Sequence, residues 1–224
     1  MVVDDSSEVL EREIQPAYIR VPAHIISYLF HPLFITSYVS AYLIYLHPYL
    51  FAGFDNSLKL FRLLTVALST AFIPGFAVFL MWRLKLIQSM QLATSKERII
   101  PYAAAIIFYF WPWLVLKQLP GSPEMFINFL QGSFFGVCGA WIININSKVS
   151  MHTTAMGGML TFFLIFSFTD ENASGLFLSA AVLIAGLVAT ARLIVSDHTR
   201  FQIIQGFIVG MLAQLIAWWI WEAP

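Results

Sequence analysis

The chain has 224 residues, of which 59% are hydrophobic and only 11% charged, whereas a soluble domain carries roughly 25% charged residues. That balance excludes a soluble globular domain and predicts an all-α fold, a polytopic transmembrane helical bundle. Twelve basic and twelve acidic side chains cancel, so no net field points to nucleic acid or to an acidic partner.

Residues 1–25 read as a polar or interfacial segment, acidic at its start and without the basic region that opens a cleaved signal peptide. Residues 26–224 read as one transmembrane domain. Apolar runs near the about 20 residues that a helix needs to cross the hydrocarbon core fall at 26–51, 58–82, 100–119, 123–145, 152–169, 174–195 and 201–221. The first is interrupted by Pro22, His24, His31 and Pro32. The alternative is therefore six spans plus an interfacial helix over 14–32, with Tyr18, Tyr28 and Phe30 at headgroup level. Loops are punctuated by Pro48, Gly53, Asp55 and Asn56, then by the Pro120–Pro123 turn, then by Asp170, Glu171 and Asn172. Small residues recur at Gly132, Gly136 and Gly139, at Gly157 and Gly158, and at Gly206 and Gly210. They predict close helix packing within the bundle and are equally compatible with a homodimer. Cys138 lies in an apolar run with no second cysteine and reads as a small buried hydrophobe. His24, His31 and His47 lie near the ends of the first span, where water or headgroups would satisfy them.

If seven spans alternate, the loops at 83–99, 146–151 and 196–200 share one face. Lys96, Arg98, Lys148, His152, Arg192 and His198 then converge on one interfacial mouth, while Lys59, Arg62 and Lys117 lie opposite. An arginine one turn inside a span costs about 2.5–3.5 kcal/mol to insert, so Arg192 is by default a functional residue. Arginine and lysine beside histidine is a setting for phosphate at a membrane surface.

Two segments carry a family resemblance. In the first, Arg192 is followed after five residues by His198 and after three more by Gln202; in the second, Ser150 and His152 stand two apart. This pattern resembles the third and second signature motifs of the type-2 phosphatidic acid phosphatase and vanadium haloperoxidase superfamily. The third motif reads Ser-Arg, five residues, His, three residues, Asp, and the second reads Pro-Ser-Gly-His. Here Ala191 replaces the serine, Gln202 the aspartate, and Val149 and Met151 the proline and glycine. The first motif, a lysine followed after six residues by Arg-Pro, is answered only by Arg98, with Pro101 three positions later; Gln91 occupies the lysine position, and Lys96 or Lys148 would supply that charge.

The resemblance implies a lipid phosphatase that hydrolyses a phospholipid phosphomonoester or a polyprenyl diphosphate through a phosphohistidine, with neither metal nor other cofactor. His198 would be the nucleophile, His152 the general acid and base, and Gln202 the acceptor that orients His198. Asp197 or Glu97 could provide the counter-charge that Gln202 lacks. Arg192, Arg98, Lys96, Lys148 and Ser150 would bind the substrate phosphate. A phosphotransferase using the same residues, and a phosphate-headgroup binding or transport protein without turnover, are the alternatives. The expected partners are the bilayer and a membrane lipid substrate, in a multi-pass protein of a bacterial inner membrane. Nine Lys or Arg residues on the site face against three opposite favour a cytoplasmic site. The resemblance implies a periplasmic one, which we adopt as the expectation because phosphate-binding cations bias the count.

Overall fold

Hydropathy sets the architecture, and proline, glycine and capping residues set its boundaries. A computed structural model describes residues 15–92, 94–195 and 198–222, and among them all regular structure is helical. The helices are α1 (Ala17–Leu29), α2 (Pro32–Ala41), α3 (Asn56–Ala67), α4 (Ile73–Arg83), α5 (Ser95–Gln118), α6 (Glu124–Asn144), α7 (Met151–Thr169), α8 (Gly175–Val195) and α9 (Arg200–Glu222). Six continuous helical stretches are long and apolar enough to cross a membrane: α3 with α4, and each of α5 to α9. The protein thus has the architecture of a multi-pass membrane protein set in a lipid bilayer.

The first apolar run is broken, as the alternative with a separate helix over 14–32 expected, and the spans among the described residues number six, or seven if the bent pair is one span. The chain breaks between α1 and α2 with a bend of 59°, because Pro32 occupies the first position of α2 and His31 is extended as its N-cap. A proline at that position has no N–H to continue the preceding helix but is preorganised to begin the next. α2 then runs into a π-helical turn, Tyr42–Leu46. A second π turn, Leu68–Phe72, joins α3 to α4 just before Pro74. Widening the helix there accommodates the ring that would otherwise strike the carbonyl of Thr70.

Two threonine-based capping boxes start helices on one side of the bundle. Thr94 accepts the Glu97 N–H at 3.3 Å, and a Glu97 carboxylate oxygen accepts the Thr94 N–H at 3.2 Å. Thr199 and Gln202 repeat the arrangement at the start of α9, with 3.3 Å in each direction. Both boxes lie on the same face as the 146–150 turn.

α7 and α9 form the closest helix pair, and glycine makes it possible. A Cβ at Gly206 would lie 2.5 Å from the Ser150 carbonyl oxygen, and one at Gly210 would overlap the Thr154 carbonyl. In lipid, where apolar side chains gain little by associating, such backbone approach supplies packing directly. A buried amide pair adds to it: Gln214 on α9 donates through Nε2 to Asn128 Oδ1 on α6 at 2.8 Å. The main core lies between α2, α6, α7 and α8, around Leu43, Phe126, Leu130, Phe162 and Phe166. On the far face His47 is buried against Asp170 at 3.5 Å, not satisfied by water as its position in the sequence suggested. Arg62 is likewise built in, donating to the Leu58 and Pro120 carbonyls and lying over the Phe54 ring.

Candidate functional site

The four residues Ser147 to Ser150 tie the sequence motifs together. Ser147 Oγ donates to Gln205 Oε1 at 2.7 Å. The Lys148 carbonyl accepts from His198 Nδ1 at 2.9 Å. The Val149 carbonyl accepts from Arg98 Nη1 at 2.9 Å. The Ser150 N–H donates to the Gln202 carbonyl at 3.4 Å. The backbone between α6 and α7 therefore fixes Arg98 from α5 and His198 from the start of α9. Beneath it, Val149 packs with Tyr102 and Ala140 in a small separate apolar cluster.

A cavity of about 620 Å³ opens above this turn, with Arg98, Lys148, His152, Arg192 and His198 in its wall. Its size falls within the usual range for small-molecule sites, roughly 300–1,000 Å³. Among the described residues that line it, none is an aspartate or glutamate. The wall deeper in the spans is apolar, lined by Gly75 and Val78 of α4 and by Ala104 and Phe108 of α5, which lie further along their helices from the 84–94 loop. One end suits an anion and the other a hydrocarbon chain.

Hydrogen bonding assigns the proton on each histidine. Gln202 Oε1 accepts the Thr199 N–H, which fixes it as the amide's oxygen, and it lies 3.2 Å from His198 Nδ1. With the Lys148 carbonyl as a second acceptor, Nδ1 must be the protonated nitrogen. Neutral His198 therefore carries its lone pair on Nε2. His198 is 3% exposed. Burial, reinforced by Arg98 and Arg192 and then by Lys148, pushes its pKa down to about 3, with the Gln202 bond opposing. Nucleophilicity requires that neutral form. His152 is assigned the other way, because its Nε2 lies 3.1 Å from the Ser27 carbonyl, which can only accept. Its basic nitrogen is Nδ1.

Arg98 is 8% exposed and clamped, with Nε donating to the Leu92 carbonyl and Nη1 to Val149, both at 2.9 Å. Leu92 adopts φ 52°, a left-handed conformation costly for a leucine, and it carries that carbonyl to the arginine. The Glu97 carboxylate accepts the backbone N–H groups of Thr94 and Gln88. Asp197 lies outside the described residues.

Five of the eight site residues expected from the sequence line the one cavity, and Gln202 stands behind His198. The other two do not reach the wall. Ser150 is fully buried, and among the described residues its Oγ has no hydrogen-bond partner. Lys96 is exposed on the first turn of α5, where a residue two positions from Arg98 points to a different side of the helix. The sequence reading missed what α1 and the residue that ends it contribute to the cavity. His31 lines the cavity with its ring 5.2 Å from that of His152, and the Ser27 carbonyl holds His152. The interruption by His31 and Pro32 was visible; what it faces was not.

Compared with protein-family models, with curated proteins and with solved structures, the chain matches none.

Proposed function

We propose that the protein is an integral membrane lipid phosphatase, a divergent relative of the type-2 phosphatidic acid phosphatases, acting on a phospholipid phosphomonoester or a polyprenyl diphosphate. One observation carries the reading. Two histidines with opposite proton assignments and three cationic side chains line a cavity that has no described carboxylate and continues into an apolar arm. A phosphomonoester carries about −1.5 to −2 charges at neutral pH, which Arg98, Arg192 and Lys148 offset. The apolar arm between α4 and α5 would take the lipid chain.

The chemistry runs in two steps. The His198 Nε2 lone pair attacks phosphorus, the bond from phosphorus to the lipid oxygen breaks, and its electron pair leaves on that oxygen. Protonated His152 delivers its Nδ1 proton to the same oxygen, and the lipid alcohol departs. Water then attacks the phosphohistidine while His152 Nδ1 takes the water proton. The bond from phosphorus to nitrogen breaks and returns its electron pair to His198, and phosphate is released. Through both steps the Lys148 and Gln202 oxygens accept the His198 Nδ1 proton and offset the charge on the phosphorylated ring. Arg98 and Arg192 bind the phosphoryl oxygens in an environment that amplifies their effect.

Gln202 favours a second reading, because a neutral amide orients His198 without the full counter-charge of a carboxylate. On that reading the cavity binds phosphate headgroups without turning them over. Purified protein assayed against phosphatidic acid, phosphatidylglycerol phosphate, a polyprenyl diphosphate and lipid A separates the two. Hydrolysis predicts phosphate release from at least one; saturable binding without release supports the binder. Release that requires a second alcohol would indicate phosphotransfer.

A further inference from the structure

His31 lies outside every motif by which the site was recognised, yet it shares a cavity wall with His152. The contact follows from how α1 ends. In a continuing helix the Ser27 carbonyl would accept the N–H of His31, four residues on. Here the His31 N–H turns back to the Tyr28 carbonyl at 3.3 Å, and Pro32 prevents the helix from going on. The Ser27 carbonyl is one of the orphan acceptors that every helix C-terminus leaves. His152 Nε2 donates to it at 3.1 Å.

The same break turns the His31 side chain onto His152. His31 Nδ1 accepts the Leu33 N–H at 3.4 Å, capping α2 and assigning the proton of the neutral ring to Nε2. The two imidazoles meet edge to face, with centroids 5.2 Å apart and planes at 81°. His152 is thus restrained on one nitrogen by a helix-end carbonyl and in ring orientation by a second imidazole. Both restraints come from the 59° bend between α1 and α2.

We infer that His31 is a positioning residue for His152, holding its ring so that Nε2 stays on the Ser27 carbonyl and Nδ1 presents the transferable proton to the leaving group. This rests on the phosphatase reading above and extends it to a segment far from the motifs in sequence.

Two variants separate the roles of His31. His31→Asn keeps a good N-cap for α2 and removes the ring; His31→Phe keeps a ring and removes the cap. If His31 positions the general acid, His31→Asn slows release from an alkyl phosphate lipid by roughly 10- to 100-fold, the scale of a misplaced catalytic group. An aryl phosphate of the same chain length, whose leaving group needs no proton, is little affected. His31→Phe stays closer to the wild type on both. Adding His31→Asn to His152→Ala then costs nothing further, since the two act as one unit. Equal slowing on both substrates, or no slowing, overturns the inference.

A second readout does not need turnover. Solid-state NMR of protein with 15N-labelled histidine reports which His152 nitrogen is protonated. The inference expects Nε2 in the wild type and a mixture of tautomers in His31→Asn. If the wild type releases no phosphate from either substrate, the phosphatase reading fails, and this measurement decides the role of His31. An unchanged tautomer in His31→Asn then overturns it.

Discussion

Replacing Gln202 with alanine removes one amide and two hydrogen bonds, and their consequences fall in different places. Oε1 accepts the Thr199 N–H at 3.3 Å and the His198 Nδ1 proton at 3.2 Å. Thr199 is 1% exposed, and losing the bond from its N–H to Oε1 lowers stability by about 0.5–1.5 kcal/mol, the net worth of one hydrogen bond. His198 fares better, because its Nδ1 keeps the Lys148 carbonyl at 2.9 Å. Its tautomer survives, and the loss in catalysis is that of one neutral hydrogen bond, about 0.5–1.5 kcal/mol, or up to roughly tenfold in rate. Gln202→Glu retains both acceptor positions and adds the missing charge, so it restores stability and does not lower turnover. Thermal unfolding of the purified variants in detergent and phosphate release from the best lipid substrate measure the two effects independently. The reasoning is refuted if Gln202→Ala is as inactive as His198→Ala, since the Lys148 carbonyl would then not hold the tautomer. Unchanged stability would refute the capping argument.

Further expectations follow from the packing and the charges. Gly210→Ala drives a methyl group into the Thr154 carbonyl and should lower stability by about 1–3 kcal/mol and reduce phosphate release, because α9 carries Gln202 and abuts His198. Gly186→Ala on α8, where nothing lies within 4 Å of a new Cβ, should be neutral or slightly stabilising in the same unfolding assay. Ser150→Ala and Lys96→Ala should leave KM for the lipid unchanged, and a severalfold rise in KM for either would return that residue to the phosphate site. His198 should stay neutral at pH 5 in an NMR titration, since its pKa is pushed down from 6.5 to about 3. Below pH 6.5 the unfolded chain takes up a proton that folded His198 refuses. The stability from this group is therefore complete above that value and declines as pH falls toward about 3, which acid unfolding with and without His198→Ala would reveal.

The spans were legible because each is a long apolar run ended by polar or turn residues. The predicted limits of 174–195 and 201–221 differ from α8 and α9 by a residue at most end points. The convergence of Arg98, Lys148, His152, Arg192 and His198 was equally legible, since alternating spans deliver those loops to one face. Hydropathy could not reveal the bend at His31, which decides whether 17–46 is one span or a helix folded against another. The role of His31 therefore stayed hidden, because it depends on where the stump of α1 meets α7. Ser150 misled for a related reason. Its place before a helix suits a phosphate donor, but the approach of Gly206 closes over its backbone and buries the side chain. That Lys96 stays off the cavity wall was within reach of helix geometry alone, because it stands two residues from Arg98.

The central claim is that His198 Nε2 forms a bond to phosphorus. Purified protein incubated with a 32P-labelled lipid phosphate and quenched in alkali within a turnover should retain label that is stable to alkali and lost in acid, the behaviour of a phosphohistidine. Peptide mapping should place it on His198, and His198→Ala should carry none. Phosphate release at the wild-type rate from His198→Ala, or label retained on any other residue, would contradict the account.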